Sequence, residues 1–62
     1  MGTYDKIKAR AKEMKIPIID IERKAELGIG SVGKWNEVSP TAKSLKAVAD
    51  VLECTVDELI GD

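Results

Sequence analysis

The side chains best able to bind a ligand are a short run of hydrogen-bond donors and cations in the middle of the chain. They are Ser31, Lys34, Asn36, Ser39 and Lys43. Hydroxyl and amide groups can hydrogen-bond to base edges or to backbone oxygens, and lysine ammonium groups can neutralise phosphates. A run of this kind suits a polar or anionic partner.

Catalysis is not expected of this chain. Its 62 residues include no His and a single Cys, Cys54, so the commonest general base and metal ligand is missing. A chain this short buries only about 60% of its unfolded surface, which leaves no room for an enclosed cleft. We therefore expect no catalytic residue, no metal, no cofactor and no small-molecule substrate.

The chain also shows no signal for a membrane. No apolar run approaches the roughly 20 residues that span a bilayer. Charged residues occur from Asp5 onward, where a secretion signal would continue with an apolar segment. We expect a cytoplasmic protein.

The spacing of apolar residues predicts a helix-turn-helix over about residues 17–36. Ile18, Ile21 and Ala25 recur at intervals of three and four residues, and so do Val32 and Trp35 after a short break. Two helices that cross steeply at a short turn are the unit that places its second helix in the major groove of DNA. Trp35 continues the apolar stripe of the second helix, so it is predicted to lie in the core rather than to stack on a base.

Three helices are predicted up to residue 36. The first begins at Thr3 or Tyr4 and ends at Met14, with Thr3 as a possible N-cap. The second begins with Pro17 at its first position, because a helix needs no N–H there. It ends near Ala25. The third begins within residues 28–30 and ends by residue 36.

Two further helices complete an all-α domain. Thr41 is placed as the N-cap of the fourth, whose apolar stripe is Leu45, Val48, Ala49 and Leu52. Thr55 and Glu58 form a capping box that opens the fifth, with Leu59 and Ile60 turned inward. Cys54 is predicted to fill a small apolar site between these helices. Five short helices around one core, over residues 1–62, are the predicted fold.

Charge is distributed unevenly along the chain. Residues 1–24 carry seven cationic and four acidic side chains, a net +3, whereas residues 25–62 carry three and seven, a net −4. One end of the molecule should therefore repel phosphate while another can face it. The alternating charges of the first helix are equally consistent with a solvated surface.

In this order and at these spacings, the elements resemble the Cro/cI-like, XRE-type helix-turn-helix domains of phage repressors and bacterial regulators. The resemblance covers nearly the whole chain and is carried by the helix pair, SVGKW, SPTAKSLKAVADVL and CTVDELI. It implies a compact, lambda-repressor-like domain that docks its third helix in the major groove. Ser31 and Lys34 would then face bases, while Asn36, Ser39 and Lys43 would face phosphates. It also implies a transcriptional repressor that binds a palindromic DNA operator as a homodimer.

The chain departs from the family at two sets of positions. Family members commonly carry polar residues, which contact DNA, where this chain has Ile18, Gly28, Ile29 and Gly30. By position, Ile29 and Gly30 remain candidate DNA contacts. Family members also often carry Gly, in a left-handed conformation that ends a helix, where this chain has Lys15, Glu26 and Glu53.

These departures support a second interpretation. Ile18, Ile19 and Ile29 could form an apolar surface rimmed by charge, which is typical of a protein interface. The chain would then be a protein-interaction module on the same fold, with weak or lost DNA binding. Alternatively, Ile18 packs under the third helix as part of the core.

Overall fold

The computed structural model describes residues 2–60, which form four α-helices and one turn of 3₁₀-helix. The elements are α1 (Thr3–Met14), α2 (Ile18–Lys24), the 3₁₀ turn (Val32–Lys34), α3 (Ala42–Val51) and α4 (Val56–Ile60). No strand occurs within this range, so the all-helical prediction is confirmed. The prediction of five helices is wrong. Asp62, which was counted in the acidic C-terminal half, lies outside the described residues.

The third predicted helix is reduced to a single 3₁₀ turn. The Trp35 N–H donates to the Val32 carbonyl at 3.0 Å, an i to i−3 bond rather than an α-helical one. Upstream, Gly30 has a φ of +89°, which a right-handed helix cannot contain. Gly33 adds a residue of low helix propensity. Glycine therefore prevents an α-helix from starting at residues 28–30.

One core joins all the elements. α1 packs against α4 and the 3₁₀ turn, and α3 packs against both α2 and α4. The buried apolar side chains are Ile7, Ala11, Ile21, Val32, Trp35, Leu45, Val48, Ala49, Leu52 and Leu59. The predicted position of Trp35 is confirmed, and Cys54 packs half-buried against this core. Ile60 was predicted to point inward, but 49% of it is exposed.

Two predicted N-terminal caps are present as expected. The Thr41 hydroxyl accepts a hydrogen bond from the Ser44 N–H at 3.2 Å at the start of α3. Before α4, the Glu58 carboxylate accepts from the Thr55 N–H at 2.8 Å, and the Thr55 hydroxyl accepts from the Glu58 N–H at 3.3 Å. These caps depend only on residues three positions apart, so the sequence predicts them directly.

The N-terminus of α1 is capped differently from the prediction. Gly2, not Thr3, is the N-cap residue, and it has no side chain to accept a hydrogen bond. Asn36 takes that role, because its Oδ1 accepts from the Tyr4 N–H at 3.0 Å. At α2 the shift is also one residue, since Pro17 is the N-cap and the helix begins at Ile18.

Three non-glycine residues adopt the left-handed conformation just after helices. Lys15, Glu26 and Glu53 have φ values of 57°, 60° and 55°, as the resemblance to the family implied. After each of them, an N–H donates back across the helix end, as the Leu27 N–H does to the Glu22 carbonyl at 2.7 Å. This is the hydrogen bond of a Schellman motif, which usually has glycine at the left-handed position.

Among residues 2–60, no helix has the length and apolar character needed to cross a membrane.

Candidate nucleic-acid interface

The recognition segment, residues 28–36, lies between the end of α2 and the loop before α3. Val32 and Trp35 anchor it in the core, while Ile29, Gly30 and Lys34 are exposed. Ser31 is half-buried. Lys34 carries the single formal charge of the segment, so the charge–charge attraction between the segment and a phosphate comes from this side chain.

The apolar residues of this region differ in exposure. Ile29 is 71% exposed and Ile19 is 39% exposed. Ile18 is half-buried and packs against the core, as the alternative prediction for this residue described. The surface available to a partner therefore includes most of Ile29 and smaller parts of Ile19 and Ile18.

The predicted phosphate-contacting residues after the segment are also on the surface. Ser39 and Lys43 are exposed, and Lys43 lines a shallow groove together with Glu26 and Leu27 of the turn that follows α2. The first turn of α3 thus lies beside the turn of the helix-turn-helix. A lysine at this place can contact a backbone that runs past the turn, although the Glu26 carboxylate reduces the local positive potential.

Asn36 has a structural role that its sequence context did not indicate. Besides accepting from Tyr4, its Nδ2 donates to Asp5 Oδ1 at 3.3 Å. A Cβ atom placed on Gly2 would overlap the Asn36 side chain, so the two residues are in close contact. Asn36 ties the end of the recognition segment to the start of α1, and a phosphate contact by this residue stays a prediction.

Glu22 is the residue at this site that sequence reasoning missed. Its side chain is only 2% exposed, and its Oε2 accepts from the Gly30 N–H at 3.0 Å and from the Val32 N–H at 3.1 Å. A signal was present in the sequence, because Glu22 lies four residues after Ile18 and three before Ala25, within the apolar stripe of α2. A charged residue at such a position is buried only with hydrogen-bond partners.

No protein-family model matches this chain, and no curated protein matches it by sequence. Two solved structures do match it over nearly its whole length.

The first is the P22 c2 repressor in complex with the synthetic operator 9T in the presence of Tl⁺. It is 24% identical, with a TM-score of 0.86 over 98% of this chain and 96% of that one. The second is the solution structure of the DNA-binding domain of the P22 c2 repressor, studied in comparison with that of the 434 repressor. It is 26% identical, with a TM-score of 0.84 over 100% of this chain and 86% of that one.

The chain therefore has the helix-turn-helix repressor fold of the Cro/cI type. The resemblance drawn from its sequence is confirmed at the level of the fold.

Proposed function

We propose that this protein is a repressor-like regulator that binds double-stranded DNA through its recognition segment. The observation that carries the proposal is the match, across almost the entire chain, to a repressor whose structure was determined on an operator. The exposure of Lys34 and Ile29 on the matching segment supports it, because these side chains are free to enter a groove. In this proposal the operator is palindromic and the protein binds it as a homodimer.

The proposed contacts divide into two kinds. Lys34 and Ser31 read base edges, Gly30 lets the backbone approach the groove, and Ile29 meets an apolar feature such as a thymine methyl group. A second group contacts the sugar-phosphate backbone and fixes the register of the domain. That group is Asn36, Ser39 and Lys43.

A salt titration of DNA binding tests the proposal. With two lysine contacts per monomer, Lys34 and Lys43, a bound homodimer makes four, and its affinity should fall about 150-fold between 50 and 200 mM salt. Fluorescence anisotropy with a labelled duplex selected from a random-sequence pool measures this. Affinity that does not change over the same salt range would contradict a phosphate-binding role.

Two lysine variants distinguish a residue that reads base edges from one that contacts the phosphate backbone. Lys43→Ala should weaken binding to all duplexes about equally, whereas Lys34→Ala should also reduce the preference for the selected duplex. Lys6→Ala is the matched control, since it removes the same charge from the groove between α1 and α4. If Lys34→Ala and Lys43→Ala have equal effects on every duplex, Lys34 does not read bases.

The second candidate function is a protein-interaction module, which the 71% exposure of Ile29 favours. In this function Ile18, Ile19 and Ile29 contact a second copy of the chain or another protein, and Ile29 is the most exposed of the three. A large apolar side chain exposed to this extent contributes about 25 cal/mol for each Å² that a partner removes from water.

The variant Ile29→Arg distinguishes the two functions. In a DNA-binding domain the added cation should raise affinity for random-sequence DNA and leave self-association unchanged. At the centre of a protein interface the same charge should weaken association by about thirtyfold or more. Sedimentation of wild type and variant at equal concentration decides between them, since an unchanged mass contradicts the homodimer interface.

A further inference from the structure

The start of the recognition segment, residues 28–31, has few contacts that could hold its shape. Ile29 and Gly30 are exposed, and a Cβ atom added to Gly30 would meet no atom within 4 Å. Within these residues the Ser31 N–H donates to the Gly28 carbonyl at 3.1 Å. The first core anchor is Val32. Packing alone therefore does not determine where Ile29 and Ser31 are presented.

The Glu22 carboxylate supplies the missing constraint. One oxygen atom accepts from the Gly30 N–H at 3.0 Å and from the Val32 N–H at 3.1 Å, so it links an exposed residue of the segment to its first buried one. The salt bridges found within residues 2–60 are Arg10–Glu13 and Lys46–Asp50, and neither involves Glu22. Its negative charge is thus balanced by the backbone N–H dipoles of the segment. The carboxylate and these N–H groups depend on each other, because removing either leaves a buried polar group without its hydrogen-bond partner.

We propose that Glu22 is the positioning residue of the recognition segment: by accepting the Gly30 and Val32 N–H groups, it holds Ile29, Ser31 and Lys34 in the arrangement that reads DNA. This inference rests on the proposed DNA-binding function. Because the carboxylate already occupies these two N–H groups, they are not available to a phosphate. Sequence discrimination then depends on side chains whose placement Glu22 controls.

Amide hydrogen exchange of the free protein tests the positioning directly, without DNA. In Glu22→Ala, the Gly30 and Val32 amides should exchange at least tenfold faster than in wild type, relative to the core amides of α3. Glu22→Gln keeps an acceptor oxygen in place and should restore most of the protection. It also provides a test if the alanine variant does not fold. Unchanged exchange at Gly30 and Val32 in Glu22→Ala would overturn the proposal.

Glu58→Ala is the matched control. Glu58 also accepts a backbone N–H, from Thr55 at 2.8 Å, but it does so in the cap of α4. This variant should speed exchange near Thr55 and leave Gly30 and Val32 unchanged.

DNA titrations test the functional half of the proposal, at a temperature where each variant is fully folded. On a duplex selected by wild type from a random pool, Glu22→Ala should lose about tenfold in affinity and lose clearly less on a random duplex. Glu22→Gln should stay within about threefold of wild type, and Glu58→Ala should bind as wild type does. Equal losses of Glu22→Ala on both duplexes would overturn a role in reading.

The two proposals fail in distinguishable ways. If wild type prefers no duplex, the proposed function fails and the reading role of Glu22 fails with it. The exchange experiment still decides whether Glu22 holds the segment.

Discussion

Replacing Glu26 with glycine should stabilise this protein, although it deletes a whole side chain. Glu26 has a φ of 60° just after α2, where a Cβ atom costs roughly 1–2 kcal/mol. The carboxylate also lies at the negative end of the helix dipole, which costs about 0.3 kcal/mol more. Against this, glycine increases the entropy of the unfolded chain by about 0.4–1 kcal/mol. The net expected gain is about 1 kcal/mol.

A gain of that size is large for this domain. A chain of this length typically has a free energy of unfolding of only about 3–9 kcal/mol. A change of about 1 kcal/mol corresponds to a rise in melting temperature of about 4–8 °C. Thermal unfolding followed by circular dichroism at 222 nm measures it readily.

Glu26→Ala is the control that isolates the backbone conformation. It removes the same carboxylate but keeps a Cβ atom, so it should melt close to wild type. Glu53→Gly should repeat the gain at the end of α3, where φ is 55°. If Glu26→Ala is stabilised as much as Glu26→Gly, the charge and not the left-handed conformation explains the effect, and the reasoning is refuted.

Three further predictions follow from the described contacts. Trp35→Ala should lose roughly 3–5 kcal/mol and leave the domain largely unfolded, so a cooperative melt of this variant would show that Trp35 contributes little to the core. Gly33→Ala should add about 1 kcal/mol of stability, because no atom lies within 4 Å of its Cβ position. Gly30→Ala should destabilise the protein, since φ is +89° there. Chemical denaturation of both variants checks the pair, because their free energies of unfolding should change in opposite directions. Burial raises the pKa of the Cys54 thiol, with a further contribution from the Glu58 carboxylate. Alkylation by iodoacetamide at pH 8 should therefore be slower for the folded protein than for the urea-unfolded chain, and equal rates would contradict the burial of the thiol.

The sequence alone was sufficient for the features that depend on neighbouring residues. The stripe of α3, its Thr41 cap and the Thr55–Glu58 capping box all follow from spacings of three and four residues. The left-handed conformations after α1, α2 and α3 were implied only by the resemblance to the Cro/cI-like family, whose members often carry glycine at these positions.

Only the tertiary structure decided how the recognition segment is built. The Glu22 carboxylate meets N–H groups 8 and 10 residues away, and Asn36 caps a helix 32 residues away in sequence. No local periodicity contains such contacts, because they depend on the angle at which the turn after α2 returns the chain. The positive φ of Gly30, which the structure reveals, leaves a 3₁₀ turn where an α-helix was predicted. Helical spacing determines which face of a segment is apolar. The packing of distant elements determines which polar groups become buried and therefore need hydrogen-bond partners.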